Sequence, residues 1–257
     1  MSDTGPTAPM QPLGIGALFS ETFAIFARSA QPAVLAAIAP QLLVAIVSVI
    51  LLGSDQTLGT GEVAPEDINV GLSIFIGLLS IVAVSLTTAF IVRIAYDAKL
   101  GRSPNLAAAL SDAASRVVVL AVVSLAVALM AGVATLAFIL PGLWVYAVFS
   151  VAVPAVVVEN AGFASFKRSV DLTRGYRWPI VFTLVVLYIG LILFGFLILF
   201  VAGAVASVLG NALGIAVNVA LSAIPTAIFC TMLALIYARL REIKEGIGVE
   251  SIASVFD

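Results

Sequence analysis

Six apolar segments occupy most of this chain, and short polar or turn-forming stretches separate them. A helix needs about 20 residues to cross roughly 30 Å of hydrocarbon. The segments run from about Ala33 to Gly53, Val70 to Ala95, Val117 to Leu140, Leu143 to Val158, Pro179 to Leu209 and Ala212 to Ala238. Only 10% of the 257 residues are charged, whereas soluble domains have about a quarter. The sequence therefore predicts an all-α polytopic membrane bundle of six transmembrane helices.

Two residue types limit the chemistry that the chain can perform. It contains no histidine and a single cysteine, Cys230. Without histidine there is no imidazole base, no Ser-His triad and no His-anchored metal site. A lone cysteine also excludes a disulfide or a Cys-type zinc site within one chain. We therefore expect no enzyme activity, no cofactor, no metal and no nucleic-acid partner.

All basic residues fall on one side of the six-span map. They precede the first span, bracket the second and fourth connections, or follow the sixth span: Arg28, Arg93, Lys99, Arg102, Arg116, Lys167, Arg168, Arg174, Arg177, Arg239, Arg241 and Lys244. Basic connections stay in the cytoplasm of the cell. The pattern predicts a multi-pass protein of the bacterial inner membrane with both termini cytoplasmic.

A short helix is predicted before each pair of spans. These helices lie near residues 13–30, 104–116 and 161–177, where apolar and polar residues alternate at helical spacing, as Phe19 and Phe26 do with Glu21 and Arg28. The membrane domain then comprises residues 13–245, between disordered cytoplasmic tails at 1–12 and 246–257. It is built from three parallel units, each an interfacial amphipathic helix followed by a helical hairpin.

The third of these helices carries the most suggestive side chains. Basic residues at headgroup level attract anionic lipid by about 1 kcal/mol each, and Trp and Tyr favour the same depth. The candidate headgroup site contains Lys167, Arg168, Arg174, Tyr176, Arg177 and Trp178. The alternative is a structural role in which these residues only fix topology and anchor the helix.

Glu159 ends the fourth span and needs a cation close to the hydrocarbon. Arg93, Lys167 or Arg168 could supply it, and Asp97 is spaced to pair with Arg93. We expect a structural clasp here rather than a proton relay.

The predicted turn at Pro141-Gly142 leaves a fourth span of only about 16 residues, or about 24 Å. This length is less than the hydrocarbon thickness. A lipid-accessible recess beside the turn is therefore expected as a hypothesis.

The stretch from Leu140 to Pro179 resembles a bacterial family, the membrane domain of glycerophosphoryl diester phosphodiesterase. The matching positions are Pro141, Gly142, Pro154, Glu159, Ser169, Leu172, Thr173, Arg174, Gly175 and Trp178, and the opening GIGALFSETFAIFAR is also similar. Some relatives carry a catalytic barrel that needs histidines and a metal. Because this sequence has no histidine, the resemblance is to a stand-alone member of the family and implies no phosphodiesterase activity.

The function that fits these features is that of a non-enzymatic inner-membrane protein that binds phospholipid or scaffolds a membrane partner complex. A small transporter or lipid-moving permease is the alternative. A transporter would need a polar path through the membrane, whereas no predicted span carries a pair of ionisable residues.

Reporter fusions test the predicted orientation. Alkaline phosphatase is active only where its disulfides form, outside the cytoplasm. Fused after Asp257, it is expected to be inactive, whereas a fluorescent protein there should mature. The matched control places alkaline phosphatase in the acidic connection at Glu62, where it should be active. An active fusion at Asp257 would contradict the six-span map.

Overall fold

The computed structural model describes residues 12–59, 69–99, 101–102 and 106–246. All regular secondary structure in these residues is helical, and six helical segments are long and apolar enough to cross a membrane. The predicted all-α bundle with six spans is confirmed. Almost all of both predicted tails lies outside the described residues, as do residues 60–68 of the connection after the first span and residues 103–105.

Three helical hairpins follow one another along the chain, each introduced by a short helix. The first unit contains α1 (Ile15–Arg28), α2 (Ala30–Leu52), α3 (Ser54–Leu58) and α4 (Val70–Lys99). The second contains α5 (Leu106–Ser115), α6 (Val117–Ala137), α7 (Ile139–Phe149) and α8 (Ala152–Glu159). The third contains α9 (Ser165–Thr173), α10 (Arg177–Leu209) and α11 (Asn211–Glu245). Helices α1, α5 and α9 lie within the ranges predicted for the three introducing helices.

Helix α11 is the centre of the bundle. It packs against α1, α2, α4, α8, α9 and α10. In its most apolar stretch 61% of the residues are buried, against 17% in α2 and α10. Its buried residues include Ala223, Ala227 and Ala234, and small residues allow helix backbones to approach closely in lipid. Close backbone packing therefore holds the centre together.

The α10–α11 hairpin turns at Gly210, between the predicted fifth and sixth spans. Gly210 has φ +92°, a left-handed conformation that glycine adopts without a steric penalty. One turn later, a Cβ on Gly214 would lie 2.6 Å from the Cβ of Ala206 and 2.9 Å from the carbonyl oxygen of Ala202. The two helices are thus in contact immediately beyond the turn.

The predicted turn at Pro141-Gly142 is wrong. The turn between the third and fourth spans is the single extended residue Phe138, and Pro141 lies in the first turn of α7. The first N–H groups of a helix have no intrahelical acceptor, so proline is tolerated there. The fourth span consequently comprises 21 residues, Ile139–Glu159, and is not short.

Pro154 divides the fourth span into α7 and α8. In a continuous helix the N–H of residue 154 would donate to the carbonyl of Ser150, but proline has no N–H and its ring crowds that carbonyl. Val151 accordingly leaves the helical conformation, with φ −102° and ψ 10°. The interruption thus lies three residues before the proline.

Helix α9 contacts the end of α7, just before this interruption, through the hydroxyl of Ser169. Ser169 Oγ donates to the carbonyl oxygen of Val148 at 2.7 Å. Thr173 Oγ1 lies 3.2 Å from the same carbonyl, but its shortest hydrogen bond, at 2.8 Å, is to the carbonyl of Ser169 in its own helix. Ser169 and Thr173 are fully buried, whereas Lys167 is exposed. Helix α9 therefore runs back along α8 to the end of α7, with one face against the protein.

Helix α1 is packed in a similar way. Its buried residues Leu18, Thr22 and Ile25 recur at helical spacing, and the helix contacts α11 and α4. Thr22 Oγ1 lies 3.4 Å from Met232 Sδ on α11. The first and last described helices are thus joined directly.

Gly214→Ala tests the close contact of α10 with α11. Alanine favours a helix over glycine by about 1 kcal/mol, but here its Cβ would overlap Ala206, and overpacking costs about 1–3 kcal/mol. We expect a lower unfolding temperature in detergent. The control is Gly203→Ala on α10, where a Cβ meets nothing within 4 Å. Equal stability of the two variants would contradict the packing.

Candidate functional site: the basic end of the bundle

All twelve lysine and arginine residues lie towards one end of the bundle. This follows from the antiparallel order of the spans: α4, α8 and α11 finish at this end, and α2, α6 and α10 begin there. The positive charges of four connections, scattered along the sequence, therefore share one region. Around α9, two sets of these charges differ, one paired with carboxylates and one not, and further ion pairs lie beside the other short helices.

Four charged residues and a tyrosine form the paired set, here called the inner cluster: Glu159, Arg168, Tyr237, Arg241 and Glu245. Arg168 Nε donates to both carboxylate oxygens of Glu159 at 2.8 Å, and its Nη1 pairs with Glu245. Arg241 Nε lies 3.0 Å from Glu245 and 3.6 Å from Glu159. The two positive and two negative charges cancel, which suits a site at the edge of hydrocarbon.

Tyr237 attaches the inner cluster to the core of the bundle. Its hydroxyl donates to Glu159 Oε1 at 2.6 Å, and the residue itself is fully buried. The guanidinium of Arg241 also lies 5.8 Å from the centre of the Tyr237 ring. The inner cluster therefore joins the end of α8, the middle of α9 and the last turns of α11.

Hydrogen bonding within the inner cluster stabilises the protonated, positively charged form of Arg168. The bond to Glu245, aided by the one to Glu159, raises the pKa of Arg168 above its usual value. A guanidinium held by two carboxylates has little capacity left for a lipid headgroup. We therefore assign Arg168 to the clasp rather than to the candidate headgroup site.

Other ion pairs tie the remaining helices to this end. Arg93 of α4 pairs with Asp112 of α5, a partner that the sequence analysis did not name. Lys99 Nζ lies 2.6 Å from Glu21 of α1, and Arg116 Nε donates to the side chain of Asn160 at 3.1 Å. Each short helix or turn at this end thus has a polar contact to a span.

The unpaired set is here called the basic surface: Lys167, Arg174, Arg177 and Trp178. Lys167 and Arg174 are exposed, and among the described residues no carboxylate forms an ion pair with either. They lie two turns apart on α9 and its end, with Asp171 between them on the same face. Trp178 is 65% exposed. By contrast, Tyr176 of the predicted site is buried at 5% exposure.

Arg177 lies at the start of α10 and faces Trp144 of α7. The carbon of its guanidinium is 4.8 Å from the centre of the Trp144 ring, a cation–π contact. Its Nε is buried and has no hydrogen-bond partner among the described residues. The side chain of Arg177 is therefore held in place by the ring of Trp144, which does not neutralise its charge. At the same end of the bundle, Lys244 Nζ donates to the carbonyl of Asp171 at 2.6 Å.

Sequence reasoning missed Tyr237 and Arg241 as partners of Glu159, and Glu245 as a second carboxylate on Arg168. A signal for them was present, because these residues recur every four positions on the last turns of α11 and so share one face. Their distance of 78 or more residues from Glu159 concealed the contact. Asp112 was missed because the sequence analysis considered only Asp97 as a carboxylate for Arg93.

Three cavities lie away from the charged end. The central cavity, of about 290 Å³, lies between α4, α6, α7, α8, α10 and α11. The lateral groove, of about 430 Å³, lies between α6, α7 and α10 beside Gly142. The outer cavity, of about 320 Å³, is lined by Gln41, Ser48, Asn218 and Thr226 among others. A recess beside Gly142 therefore exists, although the length argument for it was wrong.

Among the described residues, no group of three Cys, Asp or Glu side chains is arranged to hold a metal ion. No family model, curated protein or solved structure matches the chain. The resemblance to the phosphodiesterase membrane-domain family accordingly stays a prediction from the motif between Pro141 and Trp178.

Glu159→Gln tests the inner cluster as a clasp. Hydrogen bonds to charged groups contribute about 1.5–3 kcal/mol, and Glu159 accepts them from Arg168 and Tyr237. We expect a loss of this order in unfolding free energy, measured by denaturant titration in detergent. Glu242→Gln is the control, because Glu242 forms an exposed pair with Arg239 worth about 0–1 kcal/mol. Equal losses would show that the cluster is not a clasp.

Proposed function

We propose that this multi-pass membrane protein is non-enzymatic and binds anionic phospholipid at its basic surface, with both termini in the cytoplasm. The observation that carries the proposal is the division of charge at this end. The arginines of the inner cluster are neutralised by Glu159 and Glu245, whereas Lys167 and Arg174 are exposed and unpaired among the described residues. Asp171 offsets only part of this positive charge.

The aromatic residues support placement of the basic surface at headgroup depth. Trp178 is exposed directly beside Arg177, and tryptophan favours the boundary between headgroups and hydrocarbon. Trp144 holds Arg177 from the other side. A guanidinium oriented in advance loses less conformational freedom when it binds a phosphate. An anionic phosphate group therefore matches both the charge and the depth of this surface.

Retention of lipid during purification tests the proposal. In the variant Arg174→Ala, Arg177→Ala, two cations worth about 1 kcal/mol each are lost, so affinity for phosphatidylglycerol should fall roughly 30-fold. Native mass spectrometry of the protein titrated with phosphatidylglycerol or phosphatidylcholine measures the change.

Arg239→Ala is the matched control, because Arg239 lies at the same end but is paired with Glu242. It should retain the affinity of the unaltered protein, and phosphatidylcholine binding should not change in any variant. Undiminished phosphatidylglycerol binding by the double variant would overturn the proposal. A partner membrane protein retained through the same two arginines would instead support the scaffold form of the function.

A lipid-moving permease is the second candidate, and the cavities favour it. The outer cavity and the central cavity share Ser80 and Val84 in their walls, and the central cavity and the lateral groove share Tyr146 and Tyr188. Protein-dependent exchange of fluorescent lipid between the leaflets of the same vesicles would favour this function over static binding.

A further inference from the structure

The central cavity lies at mid-bundle, where the fourth span is interrupted. Ser85 and Thr88 of α4 form one wall, and they are only 3% and 2% exposed. Ser150, at the interruption, lies on the opposite side, and Phe229 of α11 closes another. The interrupted part of the fourth span therefore faces the cavity.

The serine and threonine hydroxyls in the wall already donate their hydrogens within the protein. Ser80, Ser85, Thr88, Ser124 and Ser150 each donate to a carbonyl of their own helix, at distances of 2.8–3.0 Å. No charged side chain is among the residues that line the cavity. Most of the wall is aliphatic or aromatic, so an ion or a polar solute would lose its hydration without replacement. The chemistry of the wall selects an uncharged, apolar occupant.

The lateral groove adjoins the central cavity at two tyrosines. Tyr146 and Tyr188 line both spaces. The groove is also lined by Ile139 and Ile192, which are 70% and 54% exposed on the surface of the bundle. An apolar route from that surface to the cavity would therefore pass these two tyrosines.

We infer that the central cavity takes the hydrocarbon chain of a bilayer lipid, which enters through the lateral groove past Tyr146 and Tyr188. An apolar cavity of this kind leaves its lining without contact atoms, and an apolar ligand restores those contacts. The volume is close to the lower end of known ligand pockets, about 300 Å³. This site is separate from the basic surface and does not depend on the proposed headgroup binding.

Photolabelling of the buried wall tests the inference. The protein is reconstituted in vesicles with phosphatidylglycerol that carries a diazirine at the end of one acyl chain, and the labelled peptides are mapped after irradiation. Label is expected on Ser85 and Thr88, which a chain on the outside of the bundle cannot touch. A parallel sample with a diazirine fatty acid distinguishes a phospholipid chain from a free fatty acid as the source.

Two neighbouring residues of α6 supply matched variants. Ala128 lines the cavity, whereas Leu129 is 69% exposed. Ala128→Phe should fill the cavity and lower label on Ser85 and Thr88 at least roughly tenfold, or about 1.4 kcal/mol of binding free energy. Leu129→Phe should leave the label unchanged. Tyr146→Ala, which widens the entrance, should raise it and provides a test if Ala128→Phe does not fold.

The outcomes separate this inference from the proposed function. The double variant Arg174→Ala, Arg177→Ala should keep the fraction of retained lipid that labels Ser85 and Thr88, even where total binding falls. Absence of label on Ser85 and Thr88 with both probes would overturn the inference. So would equal labelling of Ala128→Phe and Leu129→Phe, or a loss of label in Tyr146→Ala.

Discussion

The need to give every backbone carbonyl a donor inside hydrocarbon governs the architecture of this protein. An unsatisfied polar group there costs several kcal/mol, and Pro154 creates that problem in the fourth span. Beside the resulting break, the hydroxyl of Ser169 donates to the carbonyl of Val148 at the end of α7. This contact holds α9 along α8, and the position of α9 then brings Arg168 to Glu159. The clasp and the basic surface both depend on this sequence of contacts.

Charge at the basic end is arranged in two ways. The inner cluster pairs each of its arginines with carboxylates, as expected for charges close to hydrocarbon. The basic surface keeps its cations accessible beside Trp178. Arg168 of the inner cluster and the cations of the basic surface lie within one short stretch, residues 165–178, so neighbouring arginines have different surroundings according to the face of α9 or α10 that carries them.

Hydropathy and charge predicted the six spans and the short introducing helices, because these depend on composition over many residues. The turn at Phe138 was missed, since Pro141-Gly142 has stronger turn residues and proline is also acceptable in the first turn of a helix. Glu159 was recognised as needing a cation, and Arg168 was among those considered. Arg241, Glu245 and Tyr237 were not predicted, because only the packing of α11 against α8 brings them there.

The inner cluster also joins residues that are synthesised at very different times. Glu159 and Arg168 are synthesised early, but Arg241 and Glu245 are near the end of the last described helix. Chains are made from the N-terminus, at about 5–20 residues per second. Until the ribosome has finished α11, Glu159 at the end of the fourth span therefore has Arg168 as a counter-charge but lacks Arg241. The last helix therefore completes the inner cluster after the earlier hairpins have been inserted.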